Sequence, residues 1–184
     1  TTTGEDVFPT GTDPYPNRTC LTMTTPLPDL NVGLTAPAIA RPGNRITYSI
    51  RYGNQAREAS TNAYVILALG GTHAGASTYL GNVATNGETV FLASSDPAAA
   101  VPAFNPSEPS TGVWKTTAAE LAGPVTHIAF LRASGVPASS GPFELRVDVA
   151  LTNSAVVPPV PVLAGSSFNA CVTVGTTNNE TGPG

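Results

Sequence analysis

Few side chains in this sequence could do chemistry. The 184 residues hold two histidines, His73 and His127, two cysteines, Cys20 and Cys171, one lysine, Lys115, and twelve carboxylates. A Ser/His/Asp hydrolase needs its serine on a sharp strand-to-helix turn, and no Gly-x-Ser-x-Gly segment surrounds any serine here. His73 lies in a Gly/Ala stretch. His127 shares a strand face with Val125, Ala129 and Leu131, which is the setting of a packed histidine more than of a base or ligand. Glu144 and Asp148 fall on one face of a strand and flank Arg146, a pattern that reads as a solvated charge ladder and not as a glycosidase pair. The expectation is that the protein is not an enzyme.

Glu5, Asp6 and Asp13, with carbonyls of a Gly/Pro-rich segment, could hold calcium through oxygen ligands, but no EF-hand spacing is present; otherwise no metal and no cofactor is expected. Lys115 could form an isopeptide bond with an asparagine, yet the strand pattern this needs is absent and a solvent-facing lysine beside Trp114 is expected. Asn17-Arg18-Thr19 and Asn179-Glu180-Thr181 match the glycosylation acceptor pattern in polar end segments. Trp114, Tyr79, Phe104 and Phe130 could build a sugar-stacking platform, although single aromatics in a sandwich more often serve its core. Cys20 and Cys171 show no Cys-x-x-Cys spacing, which argues against a metal site and leaves a disulfide between them as the expectation. Two buried thiols in a reducing compartment would carry the same sequence. A bridge closing so long a loop would contribute roughly 4 to 5 kcal/mol in chain-entropy terms.

These residues must be held by a scaffold. Only 11% of residues are charged and the net charge is −4, so no basic stripe exists to neutralise a run of phosphates and nucleic-acid binding is not expected. No stretch approaches the roughly 20 apolar residues of a membrane-spanning helix. Eighteen glycines and eighteen prolines, with abundant Thr, Ala, Val and Asn, favour strands and turns over helices. Period-2 alternation marks strands at Leu30-Val32-Leu34, Ile46-Tyr48-Ile50-Tyr52, residues 125–132, Phe143 to Leu151, and Phe168-Ala170-Val172-Val174. Ala63 to Leu69 is apolar on both faces, as in a central or covered strand. Pro42-Gly43 and Asn86-Gly87 read as turns, the second joining a hairpin between short strands at Tyr79-Leu80 and Val90-Leu92. Residues 96–112 read as a proline-rich loop, and Ala118 to Leu121 as one helical turn. The organisation expected is an extended N-terminal arm or linker at 1–26, an all-β immunoglobulin-like antiparallel β-sandwich at 27–176, and a C-terminal tail at 177–184. Cys171 falls on the outward face of the last strand, so a partner such as Cys20 would have to lie across the sandwich surface or edge.

The succession PDLNVGL at 28–34, ARPGNRITYSIRYGN at 40–54 and ASTNAYVILAL at 59–69 resembles the conserved-repeat domain of unknown function in large bacterial and archaeal surface proteins. Trp114, the LAGP stretch at 121–124 and the closing NACVTVGTTNNETGPG add to the resemblance, while Asn54-Gln55-Ala56 and Leu69-Gly70 depart from the family's usual Asn-Gly turn and Leu-Pro strand ending. The resemblance implies an extracellular or cell-surface module, such as a spacer, adhesin segment or appendage subunit. Two functions fit these expectations. One is a structural subunit of a filament that associates with itself by β-strand addition of its terminal arm. The alternative is a carbohydrate-binding or adhesive module of a larger secreted protein.

Overall fold

The structure, a computed structural model, describes residues 28–41, 43–70, 77–95, 102–151 and 169–176. The alternating segments become strands: β1 (Leu30–Thr35), β2 (Arg45–Asn54), β3 (Ala63–Gly70), β4 (Ser77–Ala84), β5 (Thr89–Ala93), β6 (Trp114–Lys115), β7 (His127–Arg132), β8 (Ser140–Leu151) and β9 (Asn169–Gly175). They form two sheets of order β1-β2-β8-β4 and β6-β5-β7-β3-β9, in which every neighbouring pair is antiparallel. The chain is therefore an all-β antiparallel sandwich, as its sequence led one to expect.

The interior is built by the apolar row of each strand. Ile46, Tyr48, Ile50 and Tyr52 of β2 face Leu145, Val147, Val149 and Leu151 of β8 within the first sheet, and Val65, Leu67, Leu69, Ile128 and Phe130 line the second. Each large side chain removed from water here contributes about 1.5–3 kcal/mol, so this layer decides which face of every strand turns inward. Ala170, Val172 and Val174 of β9 pack on the same core while Cys171 stays exposed, matching the expected facing of that strand.

A second apolar cluster lies on the opposite side of the five-stranded sheet. Ile66, Phe91, Ala129 and Leu131 are covered by Phe104 and Trp114, and the Trp114 indole donates to the Ala103 carbonyl at 2.9 Å. Phe104 lies tilted against Tyr64 with ring centroids 5.4 Å apart and meets Trp114 edge-on at 5.1 Å. This explains why β3 is apolar on both faces: it is central, between β7 and β9, and the described part of the proline-rich loop folds over it.

The connections hold one correction. Asn86-Gly87 does make a tight turn, with Gly87 at φ +85°, but it does not join a hairpin. β4 pairs with β8 in one sheet and β5 with β7 in the other, so the turn crosses the sandwich. β5 is held there by its ladder to β7 and by burial of Phe91, Leu92 and Ala93, and the turn itself is anchored through Glu88. Glu88 accepts a hydrogen bond from the Tyr52 hydroxyl and, through its other oxygen, from the Asn86 backbone N–H at 2.9 Å. β4 is also longer than Tyr79-Leu80 alone suggested, because a bulge at Leu80-Gly81 interrupts the alternation that would have revealed it.

At the same end of the sandwich, buried Asn54 organises the link from β2 to β3. Its side-chain amide donates to the Glu58 carbonyl at 2.6 Å, and its oxygen accepts from the N–H groups of Ala56 (3.0 Å) and Asp29 (3.2 Å). Gly135, at φ +70°, lets this link pass, since a Cβ there would stand 1.8 Å from the Ser60 carbonyl oxygen. The 3-10 turn Ala118–Glu120 sits where one helical turn was expected, with Glu120 accepting from the Thr117 N–H at 3.0 Å and hydroxyl at 2.8 Å.

Candidate functional site

The charge ladder of β8 finds its partners on β2. Register places Arg51 opposite Glu144, Ser49 opposite Arg146 and Thr47 opposite Asp148, so the polar rows of the two strands share the outer face of the four-stranded sheet. Arg51 holds Glu144 through Nε at 2.9 Å and through a second guanidinium nitrogen at 2.7 Å. Arg45 pairs with Asp148, which also accepts from the Thr47 hydroxyl at 2.5 Å. The two ion pairs differ in setting. The Asp148 side chain is 10% exposed, whereas Arg45, Arg51 and Glu144 remain largely in water. The Arg45 hydrogen bond, reinforced by Thr47, holds the Asp148 carboxyl below the usual carboxylate range despite the opposing effect of burial.

Next to the ladder the sheet surface is hollowed where Gly33 and Gly53 lack side chains. One depression of about 370 Å³ is lined by Gly33, Thr35, Ser49, Arg51, Glu144 and Arg146. Another of about 420 Å³ is lined by Asn31, Gly53, Gln55, Ser139, Ser140 and Pro142 among others. Their walls carry amides, hydroxyls and ion pairs and no aromatic ring, so they lack the stacking surface that sugar rings use.

His127 is buried, and burial pushes its pKa down. Its Nδ1 lies 2.8 Å from the Thr126 hydroxyl and 3.2 Å from that of Ser95, and its ring meets Trp114 edge-on at 6.5 Å. The Thr126 hydroxyl oxygen in turn accepts from the Ser95 N–H at 3.0 Å, tying the end of β5 to the start of β7. A serine and a histidine thus come within hydrogen-bonding reach. They do so under the aromatic cover, as a clamp between two strands, with no carboxylate among the described residues bonded to the ring. Ala129 and Leu131 share the outer cluster beyond it as expected, while Val125 turns into the main core.

A third polar group closes one end between the sheets. Burial, and then Glu88, raise the Tyr52 pKa. Arg132 lies over the Phe143 ring at 4.1 Å and reaches the Tyr52 hydroxyl, while its Nε and Nη1 are buried without another partner among the described residues. The cation–π contact offsets part of that cost.

Of the residues singled out from sequence, Glu144, Arg146 and Asp148 come together as a ladder, and Trp114, Phe104 and Phe130 are buried in the two apolar clusters. Tyr79 is half-buried and bonded to Asn82, so these four rings form no stacking platform. Lys115 of β6 lies across from Leu92 of β5, and the Glu120 pKa is lowered chiefly by its bonds to Thr117 and Thr116 and least by the Lys115 charge. Cys171 is exposed on β9, and Cys20 lies outside the described residues, as do His73, Asn17, Asn179, Glu5, Asp6 and Asp13, the arm at 1–26 and the tail at 177–184. Among the described residues no group of three His, Cys, Asp or Glu side chains could hold a metal ion, and no helix is long and apolar enough to cross a membrane.

Sequence reasoning missed Arg45, Arg51, Ser95 and Thr126 as partners. The row Arg45-x-Thr47-x-Ser49-x-Arg51 is a visible signal, being the polar complement of Glu144-x-Arg146-x-Asp148 at matching spacing. No family model matches the chain, and no curated protein matches it.

Proposed function

We propose that the chain is a non-catalytic structural module of an extracellular surface polymer, which associates with copies of itself by adding a strand from residues 1–26 to an open sheet edge of a neighbour. The observation that supports this reading is where the unused bonding capacity lies. The ionisable groups of the described fold that come together, at Asp148, Glu144, Tyr52 and His127, are taken up by Arg45, Arg51, Glu88 and Thr126. The outermost strands β1, β4, β6 and β9, by contrast, each pair on one side only among the described residues. An edge of unpaired N–H and C=O groups is a template for another strand, and head-to-tail repetition of such a contact grows a filament.

The test compares the full chain with a variant lacking residues 1–26, by sedimentation velocity and electron microscopy, with circular dichroism as the fold control. The full chain is expected to form polymers and the shortened one to remain a folded monomer. Polymers of equal length from the shortened chain would refute the strand-exchange reading.

A further inference from the structure

We infer that the accepting edge is β9, that its occupant is residues 20–25 of a second copy, and that Cys20 of that copy becomes disulfide-bonded to Cys171. The inference rests on the strand-exchange reading above and adds which edge, which segment and which bond.

The outer strands are not equivalent as acceptors. β6 has two residues, too few for a ladder. β4 is broken by the bulge at Leu80-Gly81, a device that turns an edge away from pairing. β1 is bracketed by Pro28 and Pro37 and carries Gly33 at its centre. β9 has none of these defences. Its seven residues pair with β3 in unbroken register, from Gly175 opposite Tyr64 to Asn169 opposite Gly70, and they include no charge, proline or bulge. Val172, Thr173 and Val174 add the β-branched side chains that suit a pleated surface. Among the described residues nothing pairs with its other side.

The pattern of residues 20–25 complements this edge. In CLTMTT, Cys20, Thr22 and Thr24 fall on one face and Leu21 and Met23 on the other. On β9, Asn169, Cys171 and Thr173 face outward, and Ala170, Val172 and Val174 pack on the core beside Leu30, Val32 and Leu34 of β1. A strand added to β9 with Leu21 and Met23 turned inward extends the apolar layer and places Cys20 on the same outer face as Cys171. In the register that sets Cys20 directly opposite Cys171, the two Cα atoms stand about 4.5–5.5 Å apart, within the roughly 4.4–6.8 Å that a disulfide spans.

The donor is assigned to another copy because of how the chain enters β1. The β1–β2 ladder continues to Asp29, whose carbonyl accepts from the Gln55 N–H at 2.9 Å, and the Asn54 side chain holds the Asp29 N–H. Residues 20–25 of the same copy could run along β9 only if the chain reversed within residues 26–28, two of which, Pro26 and Pro28, have no N–H to close a turn, whereas residues 20–25 of a second copy meet no such constraint.

The bond forms by thiol–disulfide exchange with a small-molecule disulfide such as oxidised glutathione. One cysteine thiolate attacks it and expels a glutathione thiolate; the second cysteine thiolate then attacks the protein sulfur of the mixed disulfide and expels the other. The two protons lost by the protein thiols end on two molecules of reduced glutathione.

The experiment incubates full chain, Cys20→Ser, Cys171→Ser and an equimolar mixture of the two variants in oxidised glutathione, and reads them on non-reducing gels and by intact mass. The full chain is expected to give a ladder of covalent multimers, each variant alone only monomers, and the mixture dimers and nothing larger, since each mixed pair holds one Cys20 and one Cys171. A monomer lacking two hydrogens overturns the assignment to a second copy. Dimers from Cys20→Ser alone overturn the pairing, and an absence of any protein disulfide overturns the bond. Polymer formation by the same variants in reductant, followed by electron microscopy, keeps the strand-exchange reading separately testable.

Discussion

Replacing Asp148 by asparagine preserves side-chain volume and removes one charge from the ion pair that sits deepest in the ladder. The carboxylate is 10% exposed and accepts from both Arg45 and Thr47, whereas the Arg45 side chain is 64% exposed. Loss of the carboxylate thus returns a guanidinium to water without stranding it. A hydrogen bond to a charged group contributes about 1.5–3 kcal/mol and an exposed ion pair under about 1 kcal/mol. A pair with one partner on each side of that divide is worth about 1.5–2 kcal/mol. For domains of about 150–250 residues each kcal/mol moves Tm by about 2–4 °C, so D148N should melt about 3–8 °C lower at neutral pH. The pH dependence has a definite sign. Arg45 depresses the folded-state pKa of Asp148 below the roughly 3.9 of an unfolded aspartate, so the stabilisation is present above that value and is lost as pH falls through the folded pKa. Thermal melts followed by circular dichroism, at neutral pH and in a series down into acid, should show the gap between native chain and variant closing on the acid side. A D148N Tm within about 1 °C of the native one at neutral pH, or a gap that persists in acid, would refute this account of the ladder.

Two further perturbations address the outer cluster. Trp114→Ala should cost about 3–5 kcal/mol through the cavity left against Phe104 and the lost bond to Ala103, and amide exchange at 103–113 should accelerate more than exchange in β2 and β8. His127→Gln tests the clamp. Burial lowers the folded pKa of His127 below the roughly 6.5 of an unfolded histidine, so the native chain should lose stability as pH falls below that value, and urea denaturation should show a shallower loss over this range in the variant. Parallel curves for the two proteins would show that His127 contributes nothing to that slope.

How much of this was legible depended on whether the signal was local. Alternation in β2, β8 and β9 assigned inward and outward rows correctly, because burial acts on every second residue of a strand whatever its neighbours are. It carried no information about which strand lies beside which. The Asn86-Gly87 turn has the residues of a hairpin, and what places β5 in the other sheet is its ladder to β7, about forty residues later, which a local signal does not carry. The cover over Ile66 and Phe91 was hidden for a related reason. A segment rich in proline has the composition of a surface loop, and only Phe104 and Trp114 mark it as part of a core. The polar face was half legible: the β8 row read as a ladder, but its arginine partners lie about a hundred residues earlier and became recognisable once register placed them opposite.

The aromatic cover also governs how two such molecules can meet. With Phe104 and Trp114 seated over β3, β5 and β7, the flat side of the five-stranded sheet has already been spent within the molecule, and the broad opposite side is dressed in ion pairs that prefer water. Neither broad side invites stacking of one molecule on another. Under the strand exchange proposed above, contact is confined to the narrow rim, so material built from this chain should lengthen more readily than it thickens.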